Sequence, residues 1–146
     1  MELSPAQRAF LEANHAAAMI TLRDDGTPHA VRVGVAVVDG QVWSSGLPSR
    51  ARTRHVRRDP RATLFVFDQA YAFLSLEARV RILDGPDTPE QSLRLFEAMQ
   101  RGLPNVPPGM LLWHGTPRTR ADFVRIMADE QRLIYEFEPL RAYGLA

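Results

Sequence analysis

Six arginines fall between Arg50 and Arg61, opposed only by Asp59. The stretch follows Ser44-Ser45-Gly46-Leu47-Pro48, an apolar run closing on a Gly/Pro turn. Ser49 is an N-cap type, and Asp59-Pro60 stops whatever helix it starts. A helix's first turn presents unpaired N–H groups and positive dipole potential, so Ser49, Arg50, Arg52 and Thr53 together suit a phosphate. Arg50, Arg54, Arg57 and Arg61 follow helical spacing and extend a basic flank. Two other readings compete: a solvated charged face, and a nucleic-acid surface. The second lacks zinc-finger spacing, an RNP-type aromatic motif or a basic tail.

The elements that must position these residues can be read around them. The 146 residues, 45% apolar and 24% charged, suit a single domain, 1–146, with a real core. A net charge of +1 argues against a generally basic nucleic-acid binder. With no cysteine there is no disulfide, thiolate nucleophile or sulfur-ligated metal, as suits a cytoplasmic protein. Any redox chemistry needs a cofactor. The start Met1-Glu2-Leu3-Ser4 lacks a signal pattern, and no apolar run has membrane-spanning length, so neither export nor membrane insertion is expected. All 18 basic residues are arginine.

Ser4-Pro5-Ala6-Gln7 opens a helix to about Asn14, with His15 at its end as a surface or capping residue. Ala16 to Leu22 reads as a buried strand, Asp24-Asp25-Gly26-Thr27 as a hairpin turn, and His29 to Val38 as one further strand. On it, Val31, Val33, Val35 and Val37 alternate with Ala30, Arg32, Gly34 and Ala36; the small face suits a neighbouring backbone or a flat ligand, and ordinary sheet packing equally. Gln41 to Ser45 leads into the arginine stretch. Ala62 to Phe67 and Tyr71 to Leu83 form a further pair of strands, and hairpin-joined strands imply an antiparallel sheet whose closure removes its edges. Thr88-Pro89-Glu90-Gln91 starts a helix ending near Gly102. Residues 104–109 form an irregular loop, Met110 to Trp113 is apolar, Thr116-Pro117 begins a last helix, and Arg132 to Phe137 is the closing strand.

Other chemistries are poorly supplied. His15, His29, His55 and His114 show no metal-binding spacing with an acidic partner, so no metal is expected. No serine has the setting of a nucleophile elbow, and Gly-rich phosphate-loop and dinucleotide fingerprints are absent.

Asp25-Gly26-Thr27-Pro28-His29, Ser45-Gly46, Arg50-Ala51-Arg52-Thr53-Arg54 and Arg57-Arg58-Asp59-Pro60-Arg61-Ala62 resemble the pyridoxamine 5′-phosphate oxidase-like split-barrel superfamily. Within it, the sequence is most similar to actinobacterial oxidoreductases that use the deazaflavin coenzyme F-420; Tyr143-Gly144-Leu145 matches a frequent ending of that group. The resemblance implies a mainly β fold with flanking helices (α+β), a six-stranded antiparallel split β-barrel, forming a homodimer with cofactor between subunits. It implies that Arg50, Arg52 and Thr53 grip the cofactor phosphate while Ser45 lines its approach. His29, Val31, Arg32 and Val33 would border the ring, with Tyr71 and Phe73 as wall residues. Arg54, Arg57 and Arg58 would receive the anionic tail of F-420.

The implied activity is hydride transfer from reduced F-420 to an electron-poor small molecule such as an enone, quinone or tetrapyrrole. No side-chain nucleophile is required, and His29 is one candidate proton donor. FMN is the alternative cofactor, and a non-catalytic flavin or deazaflavin carrier the alternative role. The sequence departs from the family in having Arg52 where Lys is frequent, His55-Val56 where Asn-Leu is frequent, Arg32 where the residue is often uncharged, and a long 88–117 insert.

Overall fold

The computed structural model describes residues 1–145. Helix α1, Pro5–Ala13, opens with the expected capping box: Gln7 N donates to Ser4 Oγ and Ser4 N to Gln7 Oε1. His15 at its end does more than cap, since its Nδ1 lies 2.9 Å from Val35 O. Strands β1 (Ala16–Leu22) and β2 (Pro28–Gly34) form the expected hairpin, its turn held by Asp25 Oδ1, which accepts from Thr27 N and Thr27 Oγ1.

The sheet has seven strands, correcting the expected six. The additional strand comes from dividing the single 29–38 segment. β2 pairs with β1, the chain breaks at Val35, and β3 (Ala36–Val38) pairs with β4 (Gln41–Gly46). The antiparallel order β2-β1-β5-β6-β9-β4-β3 therefore has the two halves of one continuous segment at its opposite edges. Ser44 Oγ donates to Gly34 O at 2.6 Å, linking β4 to the end of β2, while Val35 N donates to His15 O at 2.9 Å and extends the β1–β2 ladder. Curling removes most of the exposed edge that a flat sheet would present.

After helix α2 (Ala51–Arg58) come β5 (Arg61–Phe67) and β6 (Phe73–Leu83). β6 begins two residues later than expected because Asp68 Oδ1 accepts from the N–H groups of Ala70 and Ala72 and holds 68–72 as a turn. Helix α3, Thr88–Gln100, lies on the sheet's other side, where Leu95 and Ala98 pack on Trp43, Ala36, Val38 and Ile134.

The segment after α3 departs most from expectation. Residues 116–119 are a strand, β8, paired with β7 (Met110–Trp113) through His114 and Gly115, both at positive φ. A two-residue turn of that kind matches the twist of a hairpin. Helix α4 starts later, at Arg120, runs to Asp129 and is capped by Thr119 Oγ1, which accepts from Asp122 N at 3.1 Å. Phe123 and Met127 on α4 join Leu93 of α3 and Leu111 of β7 in a small satellite core.

The last strand, β9, runs Leu133–Gly144, well past Phe137. It pairs with β4 at its start and with β6 along its length, with an irregularity between Glu77 and Ala78. Inside the barrel the main core gathers Met19, Leu64, Leu74, Leu76, Tyr135 and Phe137, all fully buried. Leu11 closes it from α1, and Val56 from α2.

Candidate anion and cofactor site

The turn from β4 into α2 is shaped by Tyr135, the largest fully buried side chain. Its ring passes directly under Gly46: a Cβ there would stand 2.3–2.4 Å from the ring and hydroxyl, so only glycine fits. The Tyr135 hydroxyl shares a short hydrogen bond with Thr53 Oγ1, which also donates to Leu47 O at 2.7 Å. Thr53 is thus fully buried, and its hydroxyl is committed to the protein. The N-cap is Arg50, not Ser49, and no side chain caps the helix. Ser49 lies one residue outside, because Leu47 O accepts from Arg50 N and fixes the turn there.

Arg52 is the residue this arrangement sets apart. Its Cζ stands 5.6 Å from the centre of the Tyr135 ring, and its Nε is buried with no hydrogen-bond partner among the described residues. Burial lowers its pKa from the ordinary guanidinium value; the charges of Arg50 and Arg132 add to that shift and Tyr135 opposes it. A guanidinium stays charged under such pressure, so an anion is the group that would relieve it. Unpaired buried donors are uncommon in folded proteins and call for an explanation.

The rest of the basic flank is compensated. Arg57 pairs with Asp84 at 3.2 Å, Arg58 with Asp24, and Arg61 with Asp59 at 2.8 Å, while Arg54 Nη1 donates to Ser49 O at 3.0 Å. The arginine helix is therefore not the uniform basic stripe that its spacing implies. Arg61 holds the Asp59 carboxyl at a pKa of about 2, through its side-chain and backbone hydrogen bonds first and its charge second.

On β2 the expected ring-bordering residues divide between two faces. His29, Val31 and Val33 turn inward, Val33 into the core, whereas Arg32 is exposed on the opposite face. His29 stands edge-on to His55 with centroids 5.0 Å apart, and His29 Nδ1 is buried without a partner. His55 Nδ1 is 2.8 Å from Thr21 Oγ1. Desolvation, then the charges of His29, Arg58, Arg23 and Arg54, lower the pKa of His55 and favour its neutral form. His55, Arg23, Arg54, Arg58, Asp24 and Asp25 line an open cavity of about 510 Å³.

Ser45 alternates with Ser44 and Gly46, so it shares the α3-covered face with Trp43, and its hydroxyl is also buried and unpaired. The structure does not bring that hydroxyl to the Arg52 side of the sheet. Phe73 stacks on Phe65 at 5.1 Å, and Tyr71 is 98% exposed in the 68–72 turn. Tyr135, which carries Arg52 and holds Thr53, was not among the residues singled out by sequence, because it is distant in the chain and sits in no motif. Among the described residues no group of three His, Asp or Glu could hold a metal, and no helix is long and apolar enough to cross a membrane.

A curled antiparallel sheet with an arginine-bearing helix after its fourth strand is the setting in which the comparison with known families is informative. The family model for pyridoxamine 5′-phosphate oxidase matches residues 3–113. The chain belongs to that family. Solved structures repeat the fold. A conserved hypothetical protein from Mycobacterium tuberculosis superposes with a TM-score of 0.71 at 21% identity, covering 97% of this chain and 84% of its own. An F-420 reductase gives 0.68 at 19% identity, with 97% and 98% coverage. A heme binding protein from Mycobacterium smegmatis gives 0.65 at 14% identity, with 99% and 55% coverage. A search of curated proteins finds no match. Residues 1–2 and 114–146 lie outside the matched segment.

Proposed function

We propose that this protein is an F-420-dependent reductase, passing hydride from the reduced deazaflavin to an electron-poor small molecule of the enone, quinone or tetrapyrrole class. The observation that carries the reading is Arg52: a half-buried guanidinium with an unpartnered Nε beside Arg50. That donor has no partner within the protein, which suits it to an anion. The F-420 reductase of the same fold and nearly the same extent supports the choice of cofactor.

When bound, the cofactor supplies the hydride; the chain's own residues do the rest. Arg50 and Arg52 bind the phosphate through charge-assisted hydrogen bonds, with Thr53 acting behind them by fixing Tyr135, on which Arg52 rests. His29, with Val31 beside it, borders the ring. Arg54, Arg57 and Arg58 meet the anionic tail by exchanging exposed partners, and exposed ion pairs are weak enough to exchange. Tyr71 and Phe73 complete the wall from a second copy of the chain.

Replacing Arg52 with alanine should lower cofactor affinity at least about tenfold, the loss of one charge-assisted bond, and Arg50→Ala similarly. Arg57→Ala should change it less than about threefold, since Arg57 already has a carboxylate. Fluorescence titration of each variant measures this. Unchanged affinity in Arg52→Ala would remove the basis of the proposal. FMN presents a phosphate to the same grip, so a strong preference for FMN would make this a flavin enzyme. Binding without turnover would make it a carrier.

A further inference from the structure

We propose that the open cavity between the β1–β2 turn and α2 is a polycarboxylate site with Arg23 among its cations, and that protonation of His55 in its wall strengthens binding as pH falls. The inference rests on the reading of Arg54 and Arg58 as receivers of an anionic tail. It adds to that reading a cation from another element and a dependence on pH.

The cavity, of about 510 Å³, is lined by Arg23, Asp24 and Asp25 from the turn and by Arg54, His55 and Arg58 from α2. Three guanidiniums therefore face two carboxylates, and both carboxylates are already engaged. Asp24 pairs with Arg58, while Asp25 Oδ1 accepts from Thr27 N at 3.0 Å and from Thr27 Oγ1 at 2.6 Å. Among the described residues, Arg23 and Arg54 hydrogen-bond only to neutral oxygens. Arg23 Nη1 donates to Pro28 O at 2.6 Å and Thr27 Oγ1 at 3.4 Å, and Arg54 Nη1 donates to Ser49 O at 3.0 Å. Each keeps further N–H donors for a ligand, and a guanidinium fork matches a carboxylate. Cations carried on two separate elements suit an anion with carboxylates spaced along it better than one compact charge.

His55 is built into the same wall. Its Nδ1 lies 2.8 Å from the hydroxyl of the fully buried Thr21 on β1, which fixes the ring and leaves Nε2 as the nitrogen open to a ligand. On β2, His29 stands edge-on to it with ring centroids 5.0 Å apart. The remaining charged groups that face it are those of the cavity lining. With His55 neutral that lining carries one net positive charge, and with His55 protonated it carries two. Desolvation first, then the charges of His29, Arg58, Arg23 and Arg54, hold His55 below the ordinary histidine value, so the free protein favours the neutral ring. A bound polyanion offsets those same charges and stabilises the protonated ring. By linkage, protonation strengthens polyanion binding by the same factor. Affinity therefore climbs as pH falls toward the lowered value of the free protein and levels off below it.

The test is a calorimetric titration of N-acetylated triglutamate, at low salt and from about pH 8 to about pH 5.5, into the wild type, His55→Gln, His29→Gln, Arg23→Ala and Arg54→Ala. Wild-type affinity should rise about fivefold across that range, while His55→Gln should stay within about twofold of its own affinity at the upper end. Protonation of the peptide itself weakens binding as pH falls, so it cannot mimic the rise. His29→Gln removes one of the charges that oppose protonation and should move the rise to higher pH, with His55 and its bond to Thr21 left in place. Arg23→Ala should bind about fivefold more weakly at every pH. A wild type whose affinity does not change with pH, an equal rise in His55→Gln, a His29→Gln profile that is unmoved or moves lower, or Arg23→Ala binding within about twofold of wild type would each overturn the proposal. If such a result comes with binding that Arg54→Ala weakens, the tail reading stands and only its extension falls. No binding of the peptide by the wild type at any pH, or undiminished binding by Arg54→Ala, would remove the tail reading as well.

Discussion

Gly46 and Tyr135 fix the geometry on which the candidate site depends. Tyr135 occupies the space a side chain at 46 would need, then uses its hydroxyl to hold Thr53 and its ring face to carry Arg52. Substituting Gly46 by alanine forces a Cβ to within 2.4 Å of a ring with no room to retreat, and overpacking of that kind costs about 1–3 kcal/mol. A denaturant midpoint lowered accordingly, with weakened cofactor binding, is the expected result; an unchanged midpoint would mean that the ring moves aside freely. The sequence named Gly46, Arg50 and Arg52 because their types and order are local. It missed Tyr135, since nothing near that residue indicates that β9 pairs with β4. Thr53 was placed on the ligand side because it falls in the helix's first turn, where position alone does not show that its hydroxyl turns inward to Leu47 O and Tyr135.

Helix α2 joins the two ends of the site, with Arg52 toward Tyr135 and His55 toward Thr21 and His29. His55 has its pKa lowered from 6.5 by desolvation first, then by His29, Arg58, Arg23 and Arg54. The sign follows from linkage: the unfolded chain takes up this proton more readily than the folded one, so protonation favours unfolding. The stabilisation is complete above about pH 6.5 and is lost as pH falls through the lowered folded value. Melting temperature should therefore decline with acidification across that window, less steeply in His55→Gln. An equal decline in the variant would place the effect elsewhere. Elements with strong local signals, α1 with its capping box and the β1–β2 hairpin, were legible in the sequence. The break at Val35 was not: it arises from closure of the barrel, with each half of one extended segment pairing at a different edge. The β7–β8 hairpin was hidden because Thr116-Pro117 carries a helix-start pattern, while the turn is made by His114 and Gly115.

At the scale of the molecule, an open groove runs beside the strands β1, β5, β6 and β9. Ile20, Leu22 and Leu140 line this groove of about 360 Å³, floored by the buried Ala62 and Ala78 and edged by Arg61, Thr63, Glu77 and Arg141. Leu140 and Tyr143 are about half exposed, at 50% and 53%. We propose that a second copy of the chain covers this groove and the exposed Leu140 and Tyr143 beside it. Sedimentation should report a dimer, and Ile20→Glu combined with Leu140→Glu should convert it to a folded monomer with weaker cofactor binding. A monomeric wild type would contradict this arrangement and leave Tyr71 with no surface to meet. The fold class was legible because hairpin-joined strands leave few alternatives, whereas cofactor choice depends on groups that no single segment displays. The most direct test of the central claim is parallel titration of cofactor-free protein with F-420 and FMN, followed by addition of an enone or quinone to the complex with reduced F-420. The account predicts tighter binding of F-420 and reoxidation of its reduced form on adding the acceptor. Tight FMN binding with none for F-420, or no binding of either, would contradict it.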